Sequence, residues 1–398
     1  MGLRAASTEA IEKIALDGIT QKAMPGCVVL VAHRGQIIYE KAFGHTTYDS
    51  SRPVSTQTIY DLASVTKTSA TTVCLMKLYE QGKVDLKAPI GQYLPWLQGS
   101  NKANLLVENL LLHQAGLNAF IPFYKEVTDS SGRATPALFS PFKTGPYGTT
   151  VTEQLYLHNA WPDTMYARIV ASKLAEGELK YVYSDNDFIL LGKIVEAAAG
   201  MPLEAYARQT FYAPLGMHTT GFKPYQTFEL PKIAPTEFEK TFRQQQLWGT
   251  THDPGAAMFG NVAGHAGLFS NAADLARLYQ MLLSGGQFGG KTYLNASTIA
   301  QFTSYQSPIS RRGLGFDKPE KDNARRPADK AYPSASASVR TYGHTGYTGT
   351  CVWVDPTREL IYIFLSNRVF PDGGENTKLS TLNIRSRIQE AVYAGLPR

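Results

Sequence analysis

The sequence predicts an α+β fold: an antiparallel sheet flanked by helices, built from both chain ends, with a mostly helical domain inserted between them. Three observations carry this. β-Hairpin patterns stand near each terminus, apolar residues in the middle recur at helical spacing, and 43% apolar residues over 398 positions suffice for a large core. Dividing length by about 150 residues per domain would instead give two to three consecutive units.

Between residues 7 and 23, Ile11, Ile14, Ala15 and Ile19 recur at helical spacing, and Pro25-Gly26 ends the run. Residues 27–33 and 36–43 are strand-like runs around an Arg34-Gly35 turn, which makes a hairpin. Helical patterns follow at 63–81, 103–112, 186–199, 203–213 and 272–284. The Pro/Gly-rich stretch 118–150 and the Ala/Ser-rich stretch 318–341 read as long loops, and neither has the character of an interdomain linker. A second hairpin, 350–355 and 359–366, turns at Pro356, and Leu379, Leu382, Ile384, Ile388 and Val392 mark a closing helix. The expected division is 1–66 with 265–398 for the sheet domain and 67–264 for the helical domain, with the active site between them.

The balance of 39 Lys+Arg against 33 Asp+Glu gives a formal charge of +6, but the basic residues are scattered. Only Arg311-Arg312 and Arg325-Arg326 cluster, without interleaved aromatics, so no nucleic-acid partner is expected. The longest apolar runs, such as 360–365, fall far short of the ~18 residues a membrane span needs. Cys27, Cys74 and Cys351 lack metal or redox spacing and read as small buried residues. Met1-Gly2-Leu3-Arg4 carries no signal-peptide core, which fits a cytosolic protein or one separated from an export signal or upstream domain.

Ser64-Val65-Thr66-Lys67 opens an apolar-periodic helix ending at Gly82. Serine and lysine three apart share a helix face, so the amine reaches the hydroxyl, and the helix N-terminus favours the developing alkoxide. The pattern alone is weak, because Ser140-Pro141-Phe142-Lys143 repeats it without a helix. Two further segments support the first match. Tyr183-Ser184-Asp185 immediately precedes an apolar helix with Leu190-Leu191-Gly192, and His344-Thr345-Gly346-Tyr347 leads into the 350–355 strand.

This order of motifs resembles the penicillin-recognising serine hydrolases: class C β-lactamases, serine DD-peptidases and related esterases. Leu111-Leu112-His113-Gln114-Ala115-Gly116-Leu117, Pro214-Leu215-Gly216-Met217 and Gly264-His265-Ala266-Gly267-Leu268-Phe269-Ser270 add to the likeness, which covers nearly the whole chain. Thr251-His252-Asp253-Pro254 with Gly264-His265 is similar to a subgroup found alone or fused to bacterial β-N-acetylglucosaminidases, so a fused or adjacent glycosidase domain is a possible partner.

The resemblance implies a β-lactamase/DD-peptidase-like fold with a five-stranded sheet and no cofactor or metal. It implies Ser64 as nucleophile, with Lys67 and Tyr183 sharing proton transfer. Asp185, His344, Thr345, Gly346 and Tyr347 would bind substrate, and the backbone N–H groups of Ser64 and Tyr347 would form the oxyanion hole. β-Lactam, D-amino-acid peptide or amide, and ester substrates all stay open, as does a penicillin- or peptidoglycan-binding module with little turnover. The substrate would be a small molecule or peptidoglycan-derived, and the setting periplasmic or exported. Oligomeric state is not legible.

Two departures from the family pattern carry expectations. His344 replaces a usual lysine, which implies a weaker, pH-dependent cation. Asp185 replaces a common asparagine, which implies a carboxylate that keeps Lys67 protonated, favours Tyr183 as general base, and penalises carboxylates close to the scissile bond. Lys143-Thr144-Gly145 reads as a loop coincidence. His113, His252 and His265 lack metal-ligand spacing and read as structural hydrogen-bonders, although His252 and His265 could approach the cleft mouth. Asp187 and Asp253 read as solvated or helix-capping carboxylates, and the glycine pairs at 285–286 and 289–290 lack the setting of a phosphate cradle.

Overall fold

The computed structural model describes residues 2–175, 177 and 179–397; Met1 and Arg398, the outer ends of the expected sheet-domain segments, lie outside them. The first helix, α1 (Ala5–Thr20), precedes the hairpin β1 (Gly26–His33) and β2 (Gln36–Gly44). Arg34 and Gly35 both have positive φ, 51° and 79°, as the twist of a two-residue hairpin loop requires. The middle of the chain contributes α2 (Val73–Glu80) and α3 (Asp185–Ala199), and α4 (Ala272–Leu283) follows. Strands β3 (Tyr342–Gly346), β4 (Thr350–Asp355) and β5 (Leu360–Ser366) precede the last long helix, α5 (Ile384–Gly395).

Both chain ends enter one five-stranded antiparallel sheet, ordered β3-β4-β5-β1-β2, as the terminal hairpin patterns predict. β5 joins the halves by pairing with β1 from Cys27↔Ser366 to His33↔Leu360. β1, β4 and β5 are buried on both faces because both faces are covered. Val29, Val31, Tyr362 and Phe364 pack towards Ile11, Ala15, Ile384, Ile388 and Val392 of α1 and α5. Alternate residues Val28, Leu30, Ile361, Ile363 and Leu365 join the larger core with α2, α3 and α4. Tyr342, Val352 and Val354 also face that core, so it runs continuously to the edge strand beside Ser64.

Boundaries and short elements differ from the sequence expectation. The 103–112 pattern contracts to a helix over Val107–Leu111, and the 118–150 stretch contains strands Phe139–Ser140 and Thr149–Thr152, both paired with Leu155–Leu157. Helices Trp161–Ala171 and Ala296–Thr303 were not legible, because polar residues break up their apolar spacing. The 63–81 segment is not a continuous α-helix: a π-helical turn, Lys67–Thr72, precedes α2. Such turns leave backbone carbonyls to be satisfied elsewhere. The Tyr212 hydroxyl donates to Ser69 O at 2.8 Å, and the Tyr279 hydroxyl bonds Thr68 Oγ1 and Ser69 Oγ at 2.8 and 2.9 Å.

Candidate active site

Ser64 stands on a tight turn. Asp61 Oδ1 accepts the Ala63 N–H at 2.8 Å, and Ala63 takes φ +46°, an uncommon conformation for a residue with a side chain. The chain then enters the helical segment through hydrogen bonds from Val65, Thr66 and Lys67 N–H to Leu62, Ala63 and Ser64 O. This leaves Ser64 partly exposed and Lys67 fully buried one turn on.

The next side chains fasten this turn to the 264–268 segment. Thr66 Oγ1 accepts the Leu268 N–H at 3.1 Å, and Thr71 Oγ1 donates to Gly264 O at 2.7 Å. Gly264 lies so close to α3 that a Cβ would collide with Phe188 O. On the other side, Thr348 Oγ1 and Thr350 Oγ1 donate to Asp61 O and Leu62 O, at 2.7 and 3.0 Å, which holds the end of β3 beside Ser64. Gly346 permits this approach, since a Cβ there would overlap Leu62 O and Thr350 Oγ1.

Lys67 Nζ donates three hydrogen bonds: to Ser64 Oγ at 3.0 Å, Asp185 Oδ1 at 2.7 Å and His265 O at 3.2 Å. Three acceptors fit the three donors of an ammonium. Burial by itself would lower the Lys67 pKa, but Asp185, with Tyr183, outweighs it and holds the amine above the usual lysine value. The carboxylate expected at Asp185 therefore does pair with Lys67.

Tyr183 lies between cations, with Lys67 Nζ 4.9 Å and Arg312 5.9 Å from its ring centre. The His113 ring stacks against it at 4.5 Å. His113 Nδ1 in turn meets Asp187 Oδ2 at 2.9 Å and the Ser184 N–H at 3.2 Å. Burial drives the Asp187 carboxyl well up and the His113 imidazole well down. Asp187 is thus neither solvated nor a helix cap. The cap of α3 is Ser184, whose Oγ accepts the Asp187 N–H. Asp253 does cap the short helix Pro254–Met258, and it also bonds His265 Nε2 at 2.8 Å. Burial opposes ionisation of Asp253, but His265 overcomes it and holds the carboxyl well below its usual range.

His344 is not the pH-dependent cation expected from its place in the motif. Burial first, then the Arg312 guanidinium, push its pKa down to about 3. Its Nδ1–H donates to Thr345 O at 2.7 Å, and Arg312 approaches Nε2 at 3.5 Å, a pattern that suits a neutral ring. The fixed positive charge here is the buried Arg312, paired with Asp317 at 3.5 Å. Its local signal was Arg311-Arg312 beside Gly313 and Gly315, read from sequence only as a scattered basic pair. A His344→Lys substitution would set a second buried cation against Arg312. Its expected cost is about 3 kcal/mol of stability in a urea titration, with no gain in nitrocefin hydrolysis.

Ser64, Tyr183, His344, Thr345, Gly346 and Tyr347 line one cleft of about 480 Å³. Arg368 and Arg385 also line it and, among the described residues, form no ion pair with a carboxylate. Neither the Ser64 nor the Tyr347 backbone N–H has a protein acceptor among the described residues, so both are free to receive one. The decoys lie apart: Lys143, Thr144 and Gly145 sit in an exposed loop without strand structure. The carboxylates of Asp185 and Asp253 and the His265 ring place ligand atoms within 4.8 Å of one another, yet Asp185 is held by Lys67 and Asp253 by His265. No helix among the described residues is long and apolar enough to cross a membrane.

This arrangement has counterparts in known proteins. A protein of Escherichia coli (strain K12) named "Putative D-alanyl-D-alanine carboxypeptidase" is 34% identical over 369 residues, covering 86% of this chain and 78% of that protein. The solved structure of EstCE1, a hydrolase with promiscuous acyltransferase activity, superposes with a TM-score of 0.68 at 21% identity over 97% and 98% of the two chains. A penicillin-binding protein homologue from Caulobacter crescentus gives 0.68 at 19% identity over 100% and 99%. The two structures share the fold. The profile of the Beta-lactamase family matches residues 11–382, so the chain belongs to that family and is a serine hydrolase of the β-lactamase type.

Proposed function

We propose that Ser64 is the nucleophile of an acyl-transfer hydrolase acting on D-amino-acid amides and esters, including peptidoglycan-derived peptides. The observation that carries this is the fully buried Lys67 ammonium, held by Asp185 and donating to Ser64 Oγ. An ammonium in that state has no lone pair with which to take the serine proton. Tyr183 is then the base, acting as its phenolate after its own proton has gone to solvent: the Ser64 proton passes to the phenolate oxygen as Ser64 Oγ bonds the substrate carbonyl carbon. Before the transfer the phenolate charge stands between Lys67 and Arg312, and the charge that then develops on the carbonyl oxygen meets the Ser64 and Tyr347 N–H groups. As the scissile bond breaks, the proton returns from Tyr183 to the leaving amine or alcohol. Water then repeats the sequence on the acyl-enzyme and releases the acid.

Arg368 and Arg385 favour a substrate that bears a carboxylate. The name of the Escherichia coli relative supports a D-alanyl peptide as that substrate and the cell envelope as the setting. The test is a substrate panel of D-alanyl-D-alanine peptide, p-nitrophenyl acetate and nitrocefin, run on the wild type and on Arg368→Ala with Arg385→Ala. The expected result is turnover of all three, with KM rising about tenfold on loss of the arginines for the two carboxylates, the peptide and nitrocefin, and not for p-nitrophenyl acetate. Equal losses across the panel would remove the carboxylate assignment.

A further inference from the structure

We propose that the pocket formed by Phe120, Tyr124, Phe242, His252 and Glu237 receives a protonated amine carried by the acyl part of the substrate; this rests on the acyl-transfer reading of Ser64. The pocket encloses about 260 Å³ and adjoins the cleft through a pair of tilted rings, that of His252 lying 5.3 Å from that of Tyr347. The leaving group collects its proton on the Tyr183 side, so the acyl substituent is the part free to extend past Tyr347.

Glu237 is the group that identifies the ligand. It is 6% exposed, and the charged or ionisable nitrogens nearest its carboxyl among the described residues are His252 Nε2 at 3.2 Å and Arg243 at 3.9 Å. Its neighbours are all committed elsewhere. The Glu239 carboxylate accepts from Thr241, Phe242 and Arg243 N–H. The Arg243 guanidinium is taken by Glu239, Thr251 O and His252 O, and stays 3.9 Å from Glu237. His252 Nε2 is 3.2 Å from Glu237 Oε1 but without hydrogen-bond geometry.

No counter-charge comes from that ring, because burial, then Arg243, holds its pKa down to about 4. Burial likewise pushes the Glu237 carboxyl up to about 7 against the pull of Arg243, with Glu239, Asp61 and Asp372 adding like charge. Glu237 and Glu239 thus share one guanidinium, that of Arg243, at 3.9 and 3.4 Å. Glu237 lines the pocket, and an ammonium there supplies its carboxyl with both a hydrogen bond and a counter-charge. The faces of Phe120, Tyr124 and Phe242 suit the same ligand through cation–π attraction. Gly373 keeps the space open, since a Cβ there would collide with Glu237 Oε2.

The test uses p-nitrophenyl esters of ω-amino acids of three to six carbons beside neutral esters of equal length. The expected result for the wild type is a kcat/KM at least about tenfold higher for one or more of the amino esters, expressed mainly in KM. In Glu237→Gln that cationic-to-neutral ratio falls at least about tenfold. A wild-type ratio near one at every length, or a ratio that Glu237→Gln does not move, would overturn the proposal. The wild-type series decides the matter even if the variant does not fold. Absence of Ser64-dependent turnover of the neutral esters would instead count against the acyl-transfer reading, and calorimetry of methyl 6-aminohexanoate on Ser64→Ala then tests the pocket alone: binding supports it, no binding overturns it.

Discussion

Ser64→Ala is expected to lower kcat for nitrocefin and p-nitrophenyl acetate by about 10⁴-fold or more, with little change in stability. The size of the effect follows from the role: without Oγ no acyl-enzyme forms, and only binding and the two free N–H groups remain. Stability holds because Ser64 is partly exposed and its hydroxyl's main contact is the Lys67 amine, which keeps Asp185 and His265 O. Steady-state rates and a thermal melt, taken together, check both halves. A variant that retains more than a tenth of wild-type turnover would exclude Ser64 as the nucleophile.

Asp185→Asn should have the next largest effect, and its sign is specific. Burial favours neutral Lys67, and Asp185 is the main group opposing that. Replacing the carboxylate lets burial dominate, so the Lys67 pKa falls. The ammonium form is the one that holds Ser64 Oγ and balances charge on Tyr183, so activity is lost as pH rises through the Lys67 pKa. The alkaline limb of the kcat/KM profile should therefore move to lower pH by at least about one unit, with kcat down roughly ten- to a hundredfold near neutrality. An unchanged profile together with an unchanged nitrocefin rate would dismiss the claim that Asp185 sets the protonation of Lys67. Between pH 5 and 8 no inflection should come from His344, because its ring is already neutral above about 3.

What could be read from the sequence follows from how local each feature is. Ser64 and Lys67 are one helical turn apart, and Tyr183 directly precedes a capped apolar helix, so local patterns marked them as candidates, and the order of the three motifs with the resemblance it carries gave them their roles. Four of the sheet's five strands were legible because they form hairpins at opposite chain ends, whereas the fifth, β3, followed only from the resemblance. The ionisation of His344 was not, since it depends on Arg312, 32 positions earlier, and on burial. Asp187 looked like a surface cap because nothing near it in sequence announces His113, 74 positions away. Glu237 was missed for a similar reason: its strand is three residues long, and its significance comes from neighbours that bond elsewhere. The π-helical turn at 67–72 depends on the tertiary partners Tyr212 and Tyr279, which no local pattern displays.

The central claim is that Ser64 carries the acyl group during turnover. Intact-mass analysis of protein quenched during incubation with a slowly hydrolysed β-lactam, followed by peptide mapping, tests it most directly. The account predicts one covalent acyl adduct on the peptide containing Ser64, absent from Ser64→Ala and regenerating free enzyme with time. An adduct on another residue, or undiminished labelling of Ser64→Ala, would contradict it.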